Sequence, residues 1–129
     1  MKKKILIVDD DVDILGMLKL TLNIWCPECE IVSATNGLRA LIQFQLHDEV
    51  QPFDVVLTDY DMPVMNGLDL AYEIRQKWPH THIILMSSGQ FDKIFQKQVD
   101  AHQVDNFVRK PFIMRQIKQL IFTDSKIFH

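Results

Sequence analysis

Glycine and proline are scarce in this 129-residue chain, at four and five residues. That excludes a collagen-like repeat and a Pro/Gly-rich disordered chain. Cysteine is scarcer still. Cys26 and Cys29 are the only two, too few for the disulfide framework of a small secreted domain and in keeping with a reduced compartment. No apolar run approaches the ~18 residues that a membrane-spanning helix requires. The start, Met1-Lys2-Lys3-Lys4, is basic, but the apolar stretch after it runs only from Ile5 to Val8. A secretory leader needs ~7–15 apolar residues there, so a cytoplasmic location is expected. An excess of positive charge is also missing: the formal net charge is −3 and the pI near 5.9. Without a basic footprint, neither nucleic acid nor a membrane surface is an expected partner.

What is present is ordinary for a globular chain, with 47% hydrophobic and 24% charged residues. A chain of this length buries roughly two-thirds of the surface its unfolded form exposes, without a disulfide or metal staple. No repeat, low-complexity segment or linker interrupts it, so a single domain over residues 1–129 is expected, with no output domain inside the chain.

Short apolar runs alternate with helical patterns. The expected strands are Lys4–Asp9, Glu30–Ala34, Asp54–Asp59, His82–Ser87 and Asp105–Arg109. Most are continuously apolar, which suits parallel strands buried on both faces. Between them, a 3.6-residue period aligns Ile14, Leu18, Leu22 and Trp25; then Leu38, Leu41, Ile42 and Leu46; then Leu70, Ala71, Ile74 and Trp78. A fourth pattern carries Phe91, Ile94, Phe95 and His102. Phe91 and Phe95 are read there as core residues. A fifth aligns Ile113, Ile117, Leu120 and Ile121, with Pro111 suited to a first helical position. Five βα units with right-handed crossovers give an α/β fold: an open, doubly wound parallel sheet of order 2-1-3-4-5 with five helices. Such sheets bind ligands beyond the carboxyl ends of the strands, at the switch point between strands 1 and 3.

The strand ends carry the chemistry. Strand 1 ends in Asp9-Asp10-Asp11, strand 3 in Asp59 within Asp59-Tyr60-Asp61-Met62-Pro63, strand 4 in Ser87-Ser88-Gly89, and strand 5 runs into Lys110-Pro111-Phe112. Converging carboxylates repel one another and raise each other's pKa values. A hard divalent cation relieves that conflict, and oxygen ligands without Cys or His point to Mg²⁺, or Mn²⁺. Lys110 and Ser87 suit phosphoryl oxygens, and a carboxylate beside Mg²⁺ can attack phosphorus. Alone, each piece has a plainer explanation as a helix cap or a turn residue. Four such pieces at four strand ends, in this order, do not.

On Ile7-Val8-Asp9-Asp10, Asp59-Tyr60-Asp61-Met62-Pro63 with Asn66-Gly67, Ser87-Ser88 and Lys110-Pro111-Phe112, the chain resembles the response-regulator receiver domain of two-component signalling, across essentially its whole length. The resemblance implies a flavodoxin-like sheet and a signalling domain rather than a conventional enzyme, one that catalyses its own phosphorylation and dephosphorylation. It implies that Asp59 accepts the phosphoryl group, that Asp9 and Asp10 hold Mg²⁺ together with Asp59 and the backbone carbonyl of Asp61, and that Ser87 and Lys110 bond phosphoryl oxygens. It also implies a cis bond before Pro111 and a switch role for Phe107, coupled to Ser87. The implied donor is a histidine kinase or a histidine phosphotransfer protein. The implied output face is helix 4, strand 5 and helix 5, which also offers a phosphorylation-dependent homodimer.

Two competing readings use the same residues. Asp59-x-Asp61 resembles the nucleophile motif of haloacid-dehalogenase-type phosphohydrolases, although that family places it on its first strand. A pseudo-receiver would bind partners without phosphorylation, but the full set of acceptor, metal, hydroxyl and lysine groups argues against it. Asp61 itself, acidic at a variable position beside the acceptor, is expected to alter phosphoryl lifetime. Gln103-Val104 replaces the Gly-Ala frequent before strand 5, so helix 4 must be capped without glycine. Gly89 is read as a turn residue. Cys26-Pro27-Glu28-Cys29 has redox-motif spacing but is read as two small, partly buried loop residues. His47, His80, His82, His102 and His129 lack ligand spacing, and His80-x-His82 is read as a solvated turn.

Overall fold

The computed structural model describes residues 3–47, 51–89, 93–102, 104–112 and 114–122. The apolar runs form strands β1 (Lys4–Val8), β2 (Glu30–Ala34), β3 (Val55–Asp59), β4 (His82–Ser87) and β5 (Asn106–Arg109). They alternate with helices α1 (Val12–Trp25), α2 (Gly37–His47), α3 (Gly67–Lys77), α4 (Lys93–Ala101) and α5 (Met114–Phe122). All four strand pairings are parallel, in the order β2-β1-β3-β4-β5. The central strands β1 and β3 are buried at every position, which explains their apolar runs over residues 5–8 and 55–57. Strands 1, 3 and 5 start or stop one residue inside the expected bounds. Among the described residues no helix is long and apolar enough to cross a membrane.

Two apolar layers cover the sheet. On one side α1 and α5 contribute Leu15, Leu18, Leu22, Ile117 and Ile121, packed over Ile5, Ile7, Val55 and Leu57. On the other side α2, α3 and α4 contribute Ala40, Phe44, Leu70, Ile74 and Val99, over Leu6, Val8, Val56 and Leu85. The expected line on α3 is buried throughout, Trp78 included. On α1, Ile14 and Trp25 are only partly buried and Leu15 joins the core.

Several expectations need correction. On α2 the aligned residues Leu38, Ile42 and Leu46 are exposed, at 52%, 52% and 69%, and Leu41 is partly buried. The helix instead turns in Gly37, Ala40 and Phe44. The Phe44 ring sits 5.0 Å from Phe53 and 4.5 Å from Trp78. Gly37 lets Met65 approach so closely that a Cβ would lie 2.7 Å from its Sδ. The fifth helix begins at Met114, not Pro111; the Lys110–Pro111 peptide is cis, as the resemblance implied. Cys26 and Cys29 are buried and joined as a disulfide, because the Cys29 N–H to Cys26 carbonyl turn brings their Cα atoms to 5.3 Å. His82 opens β4, with Nε2 2.8 Å from Asn106 Oδ1, and is not in a solvated turn.

Helix α4 ends without glycine. The Val104 N–H reaches back to the Val99 carbonyl at 3.2 Å and the His102 N–H to that of Gln98 at 3.0 Å. Val99 is the buried anchor of this helix and Phe95 packs partly buried against the same layer. Phe91, Ile113 and His129, and the side chain of Ile94, lie outside the described residues. The β3–α3 connection contains Val64 at φ 71°, closed by a 2.8 Å bond from the Met65 N–H to the Pro63 carbonyl. That is a γ-turn, strained for a β-branched residue.

Candidate functional site

The carboxyl ends of β1, β3, β4 and β5 bring Asp9, Asp10, Asp59, Ser87 and Lys110 to one edge of the sheet, as the strand order requires. Asp9 directly follows β1 and is fully buried, and Asp59 closes β3 at 4% exposure. The turn out of β1 is shaped by these acids themselves. Asp9 Oδ1 accepts from the Asp11 N–H at 2.9 Å, and Asp11 caps α1 by accepting from the N–H groups of Asp13 and Ile14. The third acid of the run is therefore the helix cap. Asp10 is left exposed, at the rim of a shallow hollow of about 400 Å³ that Tyr60, Asp61, Met62, Pro63 and Asn66 also line.

Ligand oxygens of Asp9, Asp10 and Asp59 all lie within 4.8 Å of one another. Lys110 reaches over the group from beyond β5. Its Nζ donates to Asp9 Oδ2 at 3.0 Å and lies 3.1 Å from Asp59 Oδ1. Burial raises the Asp59 carboxyl above its ordinary value; repulsion from Asp9 and Asp61 adds to this, while the Lys110 hydrogen bond opposes it. For Lys110, burial favours the neutral amine. The hydrogen bonds to Asp9 and Asp59 outweigh that, and its pKa is raised. One cation for three carboxylates leaves the cluster under-neutralised, and an all-oxygen donor set suits a hard divalent ion. The residues present fit Mg²⁺.

The approach to Asp59 depends on Gly67. A Cβ there would meet the Asp59 carbonyl at 2.5 Å and Leu85 Cδ1 at 2.6 Å. Asn66 and Asp69 form a capping box that fixes the start of α3 over this edge. Ser87 is buried at the end of β4, its Oγ accepting from the Gly89 N–H at 3.1 Å. Accepting leaves the hydroxyl proton free to donate to an incoming oxygen. Asp61 is exposed beside Asp10. Phe107 lies on β5 opposite Leu85, partly buried on the α2–α3–α4 side.

Two contacts escaped the sequence reading. The Tyr60 ring meets Phe95 at 5.7 Å, and Phe95 meets Phe107 at 6.0 Å, both nearly perpendicular. Residue spacing carries no signal for either.

The family model of the response regulator receiver domain matches residues 5–122. The chain is 34% identical over 114 residues to a protein named chemotaxis protein CheY from Halobacterium salinarum, covering 87% of this chain and 88% of that one. It is 31% identical over 127 residues to the response regulator protein PilR of Pseudomonas aeruginosa, covering 98% of this chain but 27% of PilR. The chain thus spans about a quarter of PilR, and 46% of the regulatory protein PhoP of Bacillus subtilis. Among solved structures, a response regulator receiver domain protein from Clostridium thermocellum superposes with a TM-score of 0.81 at 27% identity, over 98% of this chain and 99% of that one. Asp59 ends the third strand, not the first, and the phosphohydrolase reading is not carried forward.

Proposed function

The chain belongs to the response regulator receiver domain family, and we propose that it accepts a phosphoryl group on Asp59 from a phosphohistidine donor, using Mg²⁺ held by Asp9, Asp10, Asp59 and the Asp61 carbonyl. The observation that carries this reading is one lysine within 3.1 Å of both Asp9 and Asp59, where three carboxylates converge within 4.8 Å. Response regulators of two-component systems are phosphorylated by histidine kinases; the donor here is a histidine kinase or a histidine phosphotransfer protein.

An Asp59 oxygen forms the O–P bond as the P–N bond of the phosphoimidazole breaks, its electron pair leaving with the ring nitrogen. Lys110 swings part of its charge from Asp9 and Asp59 onto a transferring oxygen, and Ser87 donates to another. When bound by Asp9, Asp10 and Asp59, Mg²⁺ would supply electrostatic stabilisation of the charge on the transferring group. No separate substrate is turned over; these residues load and unload their own chain. The added charge then shifts a two-state equilibrium in α4, β5 and α5, with Phe107 as the switch residue. That face is where an effector, or a second phosphorylated copy, would dock.

Incubation with acetyl phosphate and Mg²⁺ should add a single phosphoryl group, read by intact mass. Asp59→Ala should abolish it, and Lys110→Ala should slow it by about 10²–10³, the cost of losing one preorganised transition-state partner. Asp61→Asn should still accept the group but change its rate of loss. Steady phosphate release from many small phosphoesters would restore the hydrolase reading. Absence of modification by any donor would make the chain a pseudo-receiver.

A further inference from the structure

Resting on the reading of Asp59 as acceptor, we propose that Phe95 of α4 is the positioning residue through which loading of Asp59 reaches the α4–β5–α5 face, by way of Tyr60.

Tyr60 is the residue directly after Asp59, and its backbone is pinned on both sides. Its N–H donates to the Met86 carbonyl at 2.8 Å and its own carbonyl accepts from the Gly67 N–H at 2.9 Å. In this relay the Tyr60 side chain, next along the chain from the acceptor, carries the change at Asp59 toward α4. That ring stands edge-on to Phe95, with centroids 5.7 Å apart and planes at 83°. Phe95 in turn stands edge-on to Phe107, at 6.0 Å and 83°. Phe95 is thus the middle ring of three, linking the strand that carries the acceptor to the strand that carries the switch residue.

Edge-to-face pairs favour a narrow range of mutual orientation. One ring cannot turn far without its neighbour turning or losing the contact. All three rings are partly buried against the same apolar layer, and a packed layer of this kind moves between discrete arrangements. Phe107 pairs in register with Leu85, two residues before Ser87. Phe95 ties Phe107 to Tyr60 as well, and its seat on α4 means that a rotation of Phe107 displaces that helix.

Coupling of this kind is a free energy shared by both ends. Hydrogen exchange across β5 and α5 is therefore measured on the whole chain, with and without acetyl phosphate and Mg²⁺, alongside phosphoryl uptake by intact mass. Wild type should show a phosphorylation-dependent change in exchange. Phe95→Leu keeps an apolar side chain of similar volume; it should take up the phosphoryl group yet lose at least about fivefold of that change, the lower end of typical allosteric coupling. Tyr60→Leu should do the same from the other end, while Tyr60→Phe, which keeps the ring, should retain it. The double leucine variant should be no worse than either single one, as members of one chain require. Lys97→Ala, on the exposed side of α4, should leave both readouts unchanged.

A full exchange response in Phe95→Leu or in Tyr60→Leu overturns the proposal, as does additive loss in the double variant or no response in phosphorylated wild type. Absence of phosphoryl uptake in wild type instead overturns the acceptor reading, and the relay with it.

Discussion

At the scale of single residues, the burial of Asp59 carries a cost in stability. Burial raises its carboxyl above the ordinary 3.8, with Asp9 and Asp61 adding to the effect and Lys110 opposing it. A carboxyl whose pKa is higher in the folded chain holds its proton longer there. Between the ordinary and the raised value the native state therefore binds more protons than the unfolded one. Stability falls as pH climbs through that window, and stays lower above it. Lys110 does not confuse the measurement. Its pKa is raised above 10.5, so its contribution is complete below that value and is lost only at higher pH. Asp59→Asn should thus remove the decline. In metal-free protein the variant should melt a few degrees above the parent at about pH 7, and the two should converge at about pH 3, where Asp59 is protonated in both states. Thermal melts in chelator across that range test this. A parent that gains stability over the variant between about pH 4 and 7 contradicts it. Lys110 Nζ also lies 3.0 Å from Asp9 Oδ2, so the loss of one partner does not leave the ammonium alone.

At the scale of elements, α2 shows where reading by period succeeds and where it misplaces a face. Leu38, Leu41, Ile42 and Leu46 look like the buried stripe, but Gly37, Ala40 and Phe44 form it, about one residue further round the helix. The small residues let α2 lie close to the sheet and α3, while Phe44 fills the space between Phe53 and Trp78. Phe44→Ala should accordingly cost about 3–5 kcal/mol, whereas Ile42→Gln should stay within about 0.5 kcal/mol of the parent. Urea titrations of both variants decide it, and a large loss at Ile42 would restore the leucine stripe as core. The strands were legible because a parallel strand buried on both faces is dominated by an apolar run. The site was legible because the doubly wound order puts Asp9, Asp59, Ser87 and Lys110 at one edge once the strands are known. Features that depend on approach in space left no periodic trace: the Cys26–Cys29 pairing, the His82–Asn106 contact and the Tyr60–Phe95–Phe107 rings. Asp11, third in the acidic run, shows a different limit of spacing. Cap and ligand use the same side chain, and the bonds to Asp13 and Ile14 decide for the cap.

At the scale of the whole molecule, one sheet is shared by two apolar layers, one on each of its faces. Its alternate residues face opposite ways: Ile5 and Ile7 toward α1 and α5, Leu6 and Val8 toward α2, α3 and α4. Neither layer can lose its packing without exposing one face of the same β1–β3–β4 ladder, so the two should unfold together. The two tryptophans report on them separately. Trp25 packs against the α1–α5 layer, with Lys118 of α5 over its ring at 5.2 Å. Trp78 is buried in the other layer, against Phe44. Variants Trp25→Phe and Trp78→Phe each leave one reporter, and fluorescence of the two should give coincident urea transitions once referenced to circular dichroism of the same variant, as two-state unfolding of a domain this size requires. The proposed signal transfer would depend on the same sharing, because Asp59 and Phe107 sit on strands of a sheet that both layers clamp. Transitions that separate, with Trp25 reporting α1 and α5 loosening first, would mean that the output face can open on its own. The equilibrium set by phosphorylation would then be a local unfolding of α5 and not a shift of the packed sheet.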